Sequence, residues 1–160
     1  MRTETPLLLT LAKQEAEDSR AYLLNTFSFV PDDKLSWSPS VTSRGALEIV
    51  AHCAVYNNLF AQIIARTPGL WEGDGRSLRK EQEAEIKTRQ VAIQAIEESF
   101  AKVQAALDGM RQEDFEAVVQ TPGITRSMTF FMFLPARHTD NHACQIDFLQ
   151  TCWGDLDIHS

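Results

Sequence analysis

The chain has 160 residues, with 15 Lys and Arg against 22 Asp and Glu, which gives a formal net charge of −7. Its length predicts one domain over residues 1–160, with a core large enough to fold without a disulfide or a structural metal. The negative charge and the lack of a basic run argue against a phosphate-neutralising surface. We therefore do not expect nucleic acid as a partner.

The same inventory indicates where the protein works. No apolar run approaches the roughly 20 residues that a membrane crossing needs, and the N-terminus does not have the pattern of a secretory signal. The three cysteines form no C-x-x-C pair. An odd number of cysteines without such a pair is typical of a reducing compartment. We expect a cytoplasmic protein without a membrane partner.

Clustered proline and glycine divide the chain into four segments whose apolar spacing is helical. In the first, Thr5 is the expected N-cap, Pro6 the first helical residue and Val30 the end. Its stripe consists of Leu9, Ala12, Ala16, Ser19, Leu23 and Phe27. The other three helices are expected at about residues 43–67, 77–108 and 127–153.

Four such helices predict an all-α fold, a four-helix bundle with long connections. The connections exceed the roughly 2–8 residues of a simple up-down bundle, so at least one crossover is allowed. Between Met110 and Ser127 we expect a connection with a short helical or extended piece at 113–119 and a turn at 121–123. No segment sustains the two-residue alternation of a strand.

Three of the four histidines lie inside predicted helices. His138 and His142 are four positions apart, which places both imidazoles on one helix face, while His52 lies midway along the second helix. Such residues are often structural, so a metal site and a core role both stay open. Three neutral imidazoles from two helices would suit Zn²⁺, Ni²⁺, Mn²⁺ or Fe²⁺, with coordination positions open for water or substrate.

Other polar residues are weaker candidates. Glu48 and Tyr56 each lie four positions from His52 and could support that imidazole from the same helix face. Glu15 and Asp18 could face the interior from the first helix, although the outer face is the commoner place for such residues.

The remaining histidine and the cysteines are expected to have no chemical role. His159 follows Gly154 and is expected in a surface or disordered tail. Cys53, Cys144 and Cys152 are expected to be small core or partly buried residues. No G-x-S-x-G elbow is present for a serine hydrolase.

Several short motifs together resemble the DinB/YfiT-like metalloenzyme family over essentially the whole chain. They are a Leu-x-Trp-x-Pro element at 35–39, the histidine His52 of the second helix, and an H-x-x-x-H-x-x-Q motif formed by His138, His142 and Gln145. The resemblance implies a four-helix bundle with up-down-down-up connectivity. It also implies one divalent metal ion held by the three histidines, with Gln145 as a further supporting residue, and frequently a homodimer.

The resemblance also implies a range of activities. Members of the family include S-transferases that use low-molecular-weight thiols and a mycothiol-dependent isomerase, and many others are named only as hydrolases. In this chain Ala143-Cys144 stands where the family usually has Arg-Gly, so a particular substrate specificity does not carry over. The name of the family records DNA damage and does not imply DNA binding.

Two functions are therefore expected as alternatives. The first is a metal-dependent enzyme that activates water, as a hydrolase, or a low-molecular-weight thiol, as an S-transferase or isomerase. The second is a non-catalytic, stress-related dimeric bundle that binds a metal or another small ligand. The sequence does not identify the substrate or the metal.

Overall fold

The computed structural model describes residues 6–69 and 71–159. The helices and strands follow one another as α1 (Leu7–Ser28), α2 (Ala46–Ile64), α3 (Gly75–Glu85), α4 (Arg89–Asp108), β1 (Val118–Thr121), β2 (Ile124–Ser127) and α5 (Met128–Cys152). Two short 3₁₀ turns lie at Asp32–Lys34 and Gln112–Asp114. The fold is mostly helical, as expected, but the described residues form five helices and a two-stranded hairpin where an all-α fold of four helices was expected.

The first helix keeps its predicted core stripe. All six stripe residues of α1 are buried. Leu7 is its first residue and Pro6 takes the N-cap position, so the helix begins one residue later than expected. The predicted cap, Thr5, lies outside the described residues.

The third predicted helix is two helices in the structure, so the expectation of one helix over 77–108 was wrong. Ile86 has ψ 91°, which is extended backbone, and the Val91 amide donates to the Thr88 side chain at 3.3 Å as α4 begins. The cap at Thr88 supplies a new helix start. The polar sequence before it supplies no core stripe, since Gly75 is the one buried residue of α3.

The connection before α5 contains a 3₁₀ turn at Gln112–Asp114 and a small β-hairpin that begins at Val118, in the region where a short helical or extended piece was expected. Val118 pairs with Ser127 and Thr121 with Ile124 in an antiparallel ladder. Gly123 has φ 95°, which a type II turn requires after a proline, so the predicted turn at 121–123 is confirmed. Four-residue strands are too short to show a sustained two-residue alternation.

The four long helices pack around one apolar core. α1 and α2 each pack against both α4 and α5, and α3 lies on α2. Three phenylalanines, Phe27, Phe100 and Phe131, are fully buried there. Full burial of such a side chain stabilises the fold by about 1.5–3 kcal/mol.

Helix α2 is apolar on nearly all sides. Among the described residues it alone has the length and composition of a membrane-crossing helix, with a mean hydropathy of 1.2. Yet 78% of that window is buried inside the protein. The apolar composition therefore corresponds to packing against α3, α4 and α5.

The Leu-x-Trp-x-Pro segment covers the start of α2. The Leu47 amide, which has no partner within the helix, donates to the Leu35 carbonyl at 2.9 Å. A Cβ atom on Gly45 would lie 2.9 Å from the Trp37 carbonyl oxygen and 3.2 Å from that of Leu35. This close backbone approach requires glycine at position 45.

We expect Gly45→Ala to destabilise the protein by about 1–3 kcal/mol, because the added methyl must displace backbone atoms. Gly109→Ala is the matched control, since φ there is −77° and the nearest atom would lie 3.6 Å from the new Cβ. The control is expected to be neutral or stabilising by up to about 1 kcal/mol. Urea unfolding measures both, and equal midpoints would contradict the role of Gly45.

Candidate metal centre

The three helical histidines come together between α2 and α5. His138 and His142 are stacked one turn apart on α5, and His52 projects from α2 toward both. Their candidate ligand atoms all lie within 4.8 Å of one another. The three rings thus converge on one point between the two helices.

Aromatic side chains of α2 cover one side of this cluster. The Tyr56 ring lies 4.2 Å from that of His52 and is stacked on His138 at 5.2 Å, measured between ring centroids. Phe60 contacts His138 edge-on at 5.3 Å. These rings restrict water on their side and limit the rotation of His138.

Two hydrogen bonds orient the imidazoles. His52 Nδ1 donates to Glu83 Oε1, and His142 Nδ1 donates to Gln145 Oε1, both at 2.8 Å. A carboxylate or an amide oxygen can only accept, so each Nδ1 carries the proton. Each Nε2 therefore keeps its lone pair, which is the arrangement found behind histidine ligands of metals.

The acidic partner of His52 is not the expected one. Glu48 is exposed, and its Oε2 accepts the Gly45 amide at 3.0 Å, which caps α2. The carboxylate at His52 belongs to Glu83 on α3. Sequence reasoning missed Glu83 because it lies among other glutamates on a polar helix and has no distinguishing spacing.

Burial keeps all three imidazoles neutral. It lowers the pKa of each below the usual value of 6.5, and for His138, next to His142 and His52, the pKa falls to about 3. Glu83 opposes the effect of burial at His52 without cancelling it. Neutral imidazole is the form that binds a metal ion, so the cluster is ready for a cation at pH 7.

The donor set fits a divalent metal ion. His138 Nδ1 is buried without a hydrogen-bond partner among the described residues. Two nitrogens that share a tetrahedral ion at about 2.1 Å are about 3.4 Å apart, so closure from 4.8 Å needs small side-chain rotations. The three histidines could hold Zn²⁺, Ni²⁺, Mn²⁺ or Fe²⁺, with Glu83 and Gln145 behind them.

Other sequence candidates lie elsewhere. Glu15 and Asp18 are exposed on α1, and Cys53 is buried, where burial raises the pKa of its thiol. The expectation that all three cysteines are at least partly buried was wrong for Cys144 and Cys152, which are exposed.

The tail that carries His159 is folded against α1, so its expected surface or disordered placement was wrong. The ring is buried and stacked on Phe29 with centroids 4.0 Å apart. Its Nε2 lies 2.8 Å from Asp155 Oδ2, and its carbonyl accepts from Asn25 Nδ2 at 2.8 Å. An apolar ring at the end of α1 and a local carboxylate thus provide a binding place for the tail.

We expect Glu83→Ala to weaken metal binding by about 10–100-fold, because His52 loses the acceptor that fixes its tautomer. Glu48→Ala is the matched control: it removes the cap of α2 and lowers stability by about 1 kcal/mol but leaves metal affinity unchanged. Competition with a chromophoric chelator measures the affinity. Equal losses in both variants would contradict the assignment.

The lowered histidine pKa values predict a loss of stability in acid. In the unfolded chain the His138 side chain is protonated as the pH falls through about 6.5, whereas in the folded protein it stays neutral down to about pH 3. The free energy of unfolding therefore decreases as the pH is lowered from 6.5 toward 3. In metal-free protein this one group costs about 2 kcal/mol between pH 6.5 and pH 5. Urea unfolding should show a shallower loss for His138→Gln. Superimposable pH profiles would count against burial as the cause.

The comparisons with known proteins agree on the fold. The family model of the DinB superfamily matches residues 15–146, and a search of curated proteins gives no match. A conserved protein from Enterococcus faecalis is similar, with a TM-score of 0.69 and 12% identity, covering 88% of this chain and 94% of that one. A mycothiol-dependent maleylpyruvate isomerase superposes with a TM-score of 0.70 and 18% identity.

The isomerase match covers 91% of this chain but 63% of the isomerase, so this chain spans less than two thirds of that protein. A histidine-to-alanine mutant of the isomerase gives the same coverage, with a TM-score of 0.71 and 17% identity. Identities this low establish a common fold alone. The family match extends from α1 into α5 and includes all three clustered histidines. The chain therefore belongs to the DinB superfamily.

Proposed function

We propose that this protein is a divalent-metal-dependent enzyme whose ion is held by His52, His138 and His142. The observation that carries the proposal is the convergence of three neutral imidazoles with ligand atoms within 4.8 Å. A structural zinc site normally has four protein ligands, and the apolar core of this protein is large enough to fold without a metal ion. A three-ligand site is therefore better suited to chemistry than to stability.

The chemistry divides between the ion and the chain. When bound, the ion would make a coordinated water or thiol anionic near neutral pH, for hydrolysis or for thiol transfer or isomerisation. Glu83 and Gln145 hold the Nδ1 protons of His52 and His142 and so keep the ligand nitrogens aimed inward. Tyr56 limits water on one side of the centre.

A low-molecular-weight thiol is the reactant that we propose first. The chain resembles in fold an isomerase described as mycothiol-dependent. Its own thiol next to the centre, Cys53, is buried and held protonated by a raised pKa. Cys53 is therefore a poor source of a reactive thiolate, which favours a small-molecule thiol as the reactant.

We also infer up-down-down-up connectivity of the four long helices, and a homodimer because the resemblance to the DinB/YfiT-like family implies one. The contacts between helices support the connectivity: α4 runs opposite to α1, α5 runs with α1, and α2 runs opposite to α5. Lys13–Asp108 and Arg20–Glu97 support the opposite direction of α1 and α4. Tyr22–Cys144 and Thr26–Gln150 support the common direction of α1 and α5. His52–His142 and Phe60–His138 support the opposite direction of α2 and α5.

Metal analysis of untagged protein tests the centre. We expect about one ion per chain in the wild type and loss of that ion in the double variant His138→Ala/His142→Ala. His159→Ala is the control, because it removes a buried histidine outside the cluster. Added Zn²⁺, Ni²⁺ or Mn²⁺ should raise the melting temperature of the wild type but not of the double variant. A wild type without metal or metal-dependent stabilisation overturns the proposal.

Turnover separates an enzyme from a binding module. Metal-loaded wild type and the double variant are compared on thiols with electrophiles, and on esters and amides. Turnover by the wild type that the double variant lacks supports the enzyme hypothesis. Turnover of thiols with electrophiles indicates thiol activation, and turnover of esters or amides indicates water activation. Stoichiometric metal without turnover on any panel favours the non-catalytic bundle.

A further inference from the structure

Two cavities contain the residues that orient His52 and His142, and one residue lines both cavities. A cavity of about 420 Å³ beside α2 and α3 contains Glu83, the partner of His52. A second, of about 460 Å³ beside α5, contains Gln145, the partner of His142. Arg44, just before α2, lines both cavities. Arg44 therefore borders the cavity of each group that orients a histidine.

The first cavity is lined by more cations than carboxylates. Arg44, Lys80 and Lys87 all line it, and none of them makes an ion pair or a hydrogen bond to another described residue. Two carboxylates, Glu48 and Glu83, also line it, so the formal charge of the lining is +1, three cations less two carboxylates. Glu48 accepts a hydrogen bond from the Gly45 amide and Glu83 accepts one from the His52 ring.

The cavity has a positive excess in a chain whose net charge is −7. Six other cations of the chain, Lys13, Arg20, Lys34, Arg66, Arg89 and Arg111, form ion pairs. Three cations that line one concavity attract an anion. A cavity of about 420 Å³ is within the size range of small-molecule sites.

Arg44 is also close to the centre. It shares one cavity with Glu83, which accepts from His52 at 2.8 Å, and the other with Gln145, which accepts from His142 at 2.8 Å. An anion bound at Arg44 would thus lie beside the groups that orient two of the three imidazoles. A guanidinium can hold a carboxylate or a phosphate by two parallel hydrogen bonds, and the lysines add point charges.

We propose that Arg44, Lys80 and Lys87 form an anion-binding site beside the three-histidine centre, and that this site holds a carboxylate or phosphate group of the molecule that reacts there. The assignment to the reactant rests on the proposed function, whereas the anion site itself does not. The reactant is thus an anionic small molecule, tethered by its acidic group at Arg44 with its reactive end at the histidines.

Anion titration tests the site directly. Inorganic phosphate and succinate are titrated at low ionic strength into wild type, Arg44→Gln and the double variant Lys80→Gln/Lys87→Gln, with calorimetry as the readout. Lys102→Gln is the charge-matched control, because Lys102 lines a separate cavity. We expect at least ten-fold weaker binding in Arg44→Gln and in the double variant, and less than a two-fold change in the control. Circular dichroism melting checks that each variant folds.

Each titration is made on metal-loaded protein and again after chelator treatment, because a metal ion can itself bind phosphate. Arg44-dependent binding that survives metal removal supports the site, and the tighter of the two probes identifies its acidic group. Equal weakening by Arg44→Gln and Lys102→Gln, or no binding of either anion at 10 mM (about the weak limit of such sites), overturns it. If the wild type binds no metal or shows no turnover, but anion binding still depends on Arg44, the anion site is supported and its assignment to the reactant is lost.

Discussion

The contact between α2 and α5 is the constraint on which the centre depends. α2 is enclosed by three helices, so an imidazole placed on it must give up water. The same contact brings His52 within reach of the α5 pair, and three rings that would repel one another if charged are held neutral instead. Packing thus supplies both the geometry and the protonation state that metal binding needs.

Different elements of the fold determine the ring positions and the tautomers of the three histidines. The core helices fix the ring positions, while hydrogen bonds from α3 and from α5 itself fix which nitrogen faces inward. The segment that covers the start of α2 packs against Gly45, the residue that follows Arg44. The chain has an acidic surplus, yet three cations line the cavity that contains the carboxylate partner of His52.

Features that depend on local spacing could be predicted from the sequence. The stripe of α1 and the pairing of His138 with His142 follow from helical periodicity, and both are found in the structure. Features set by long-range packing could not be predicted. The partner of His52 was sought one turn away on the same helix, but Glu48 is used by the helix cap, and Glu83 reaches the ring from 31 positions along the chain.

The same distinction explains the other differences. The break between α3 and α4 depends on a threonine cap in a polar stretch where no core stripe holds one long helix together. His159 stacks on the ring of Phe29, just after α1. This contact joins segments that are far apart in the sequence, so no local pattern predicts it.

The separation of α3 from α4 has an evolutionary consequence. Of the eleven residues of α3, only Gly75 is buried, yet this helix supplies the carboxylate behind His52 and one of the cavity lysines. Substitutions there leave the core packing intact while they alter the surroundings of the ion and of its reactant. Related proteins could therefore diverge in substrate through this one short helix, while the remaining helices preserve a common scaffold.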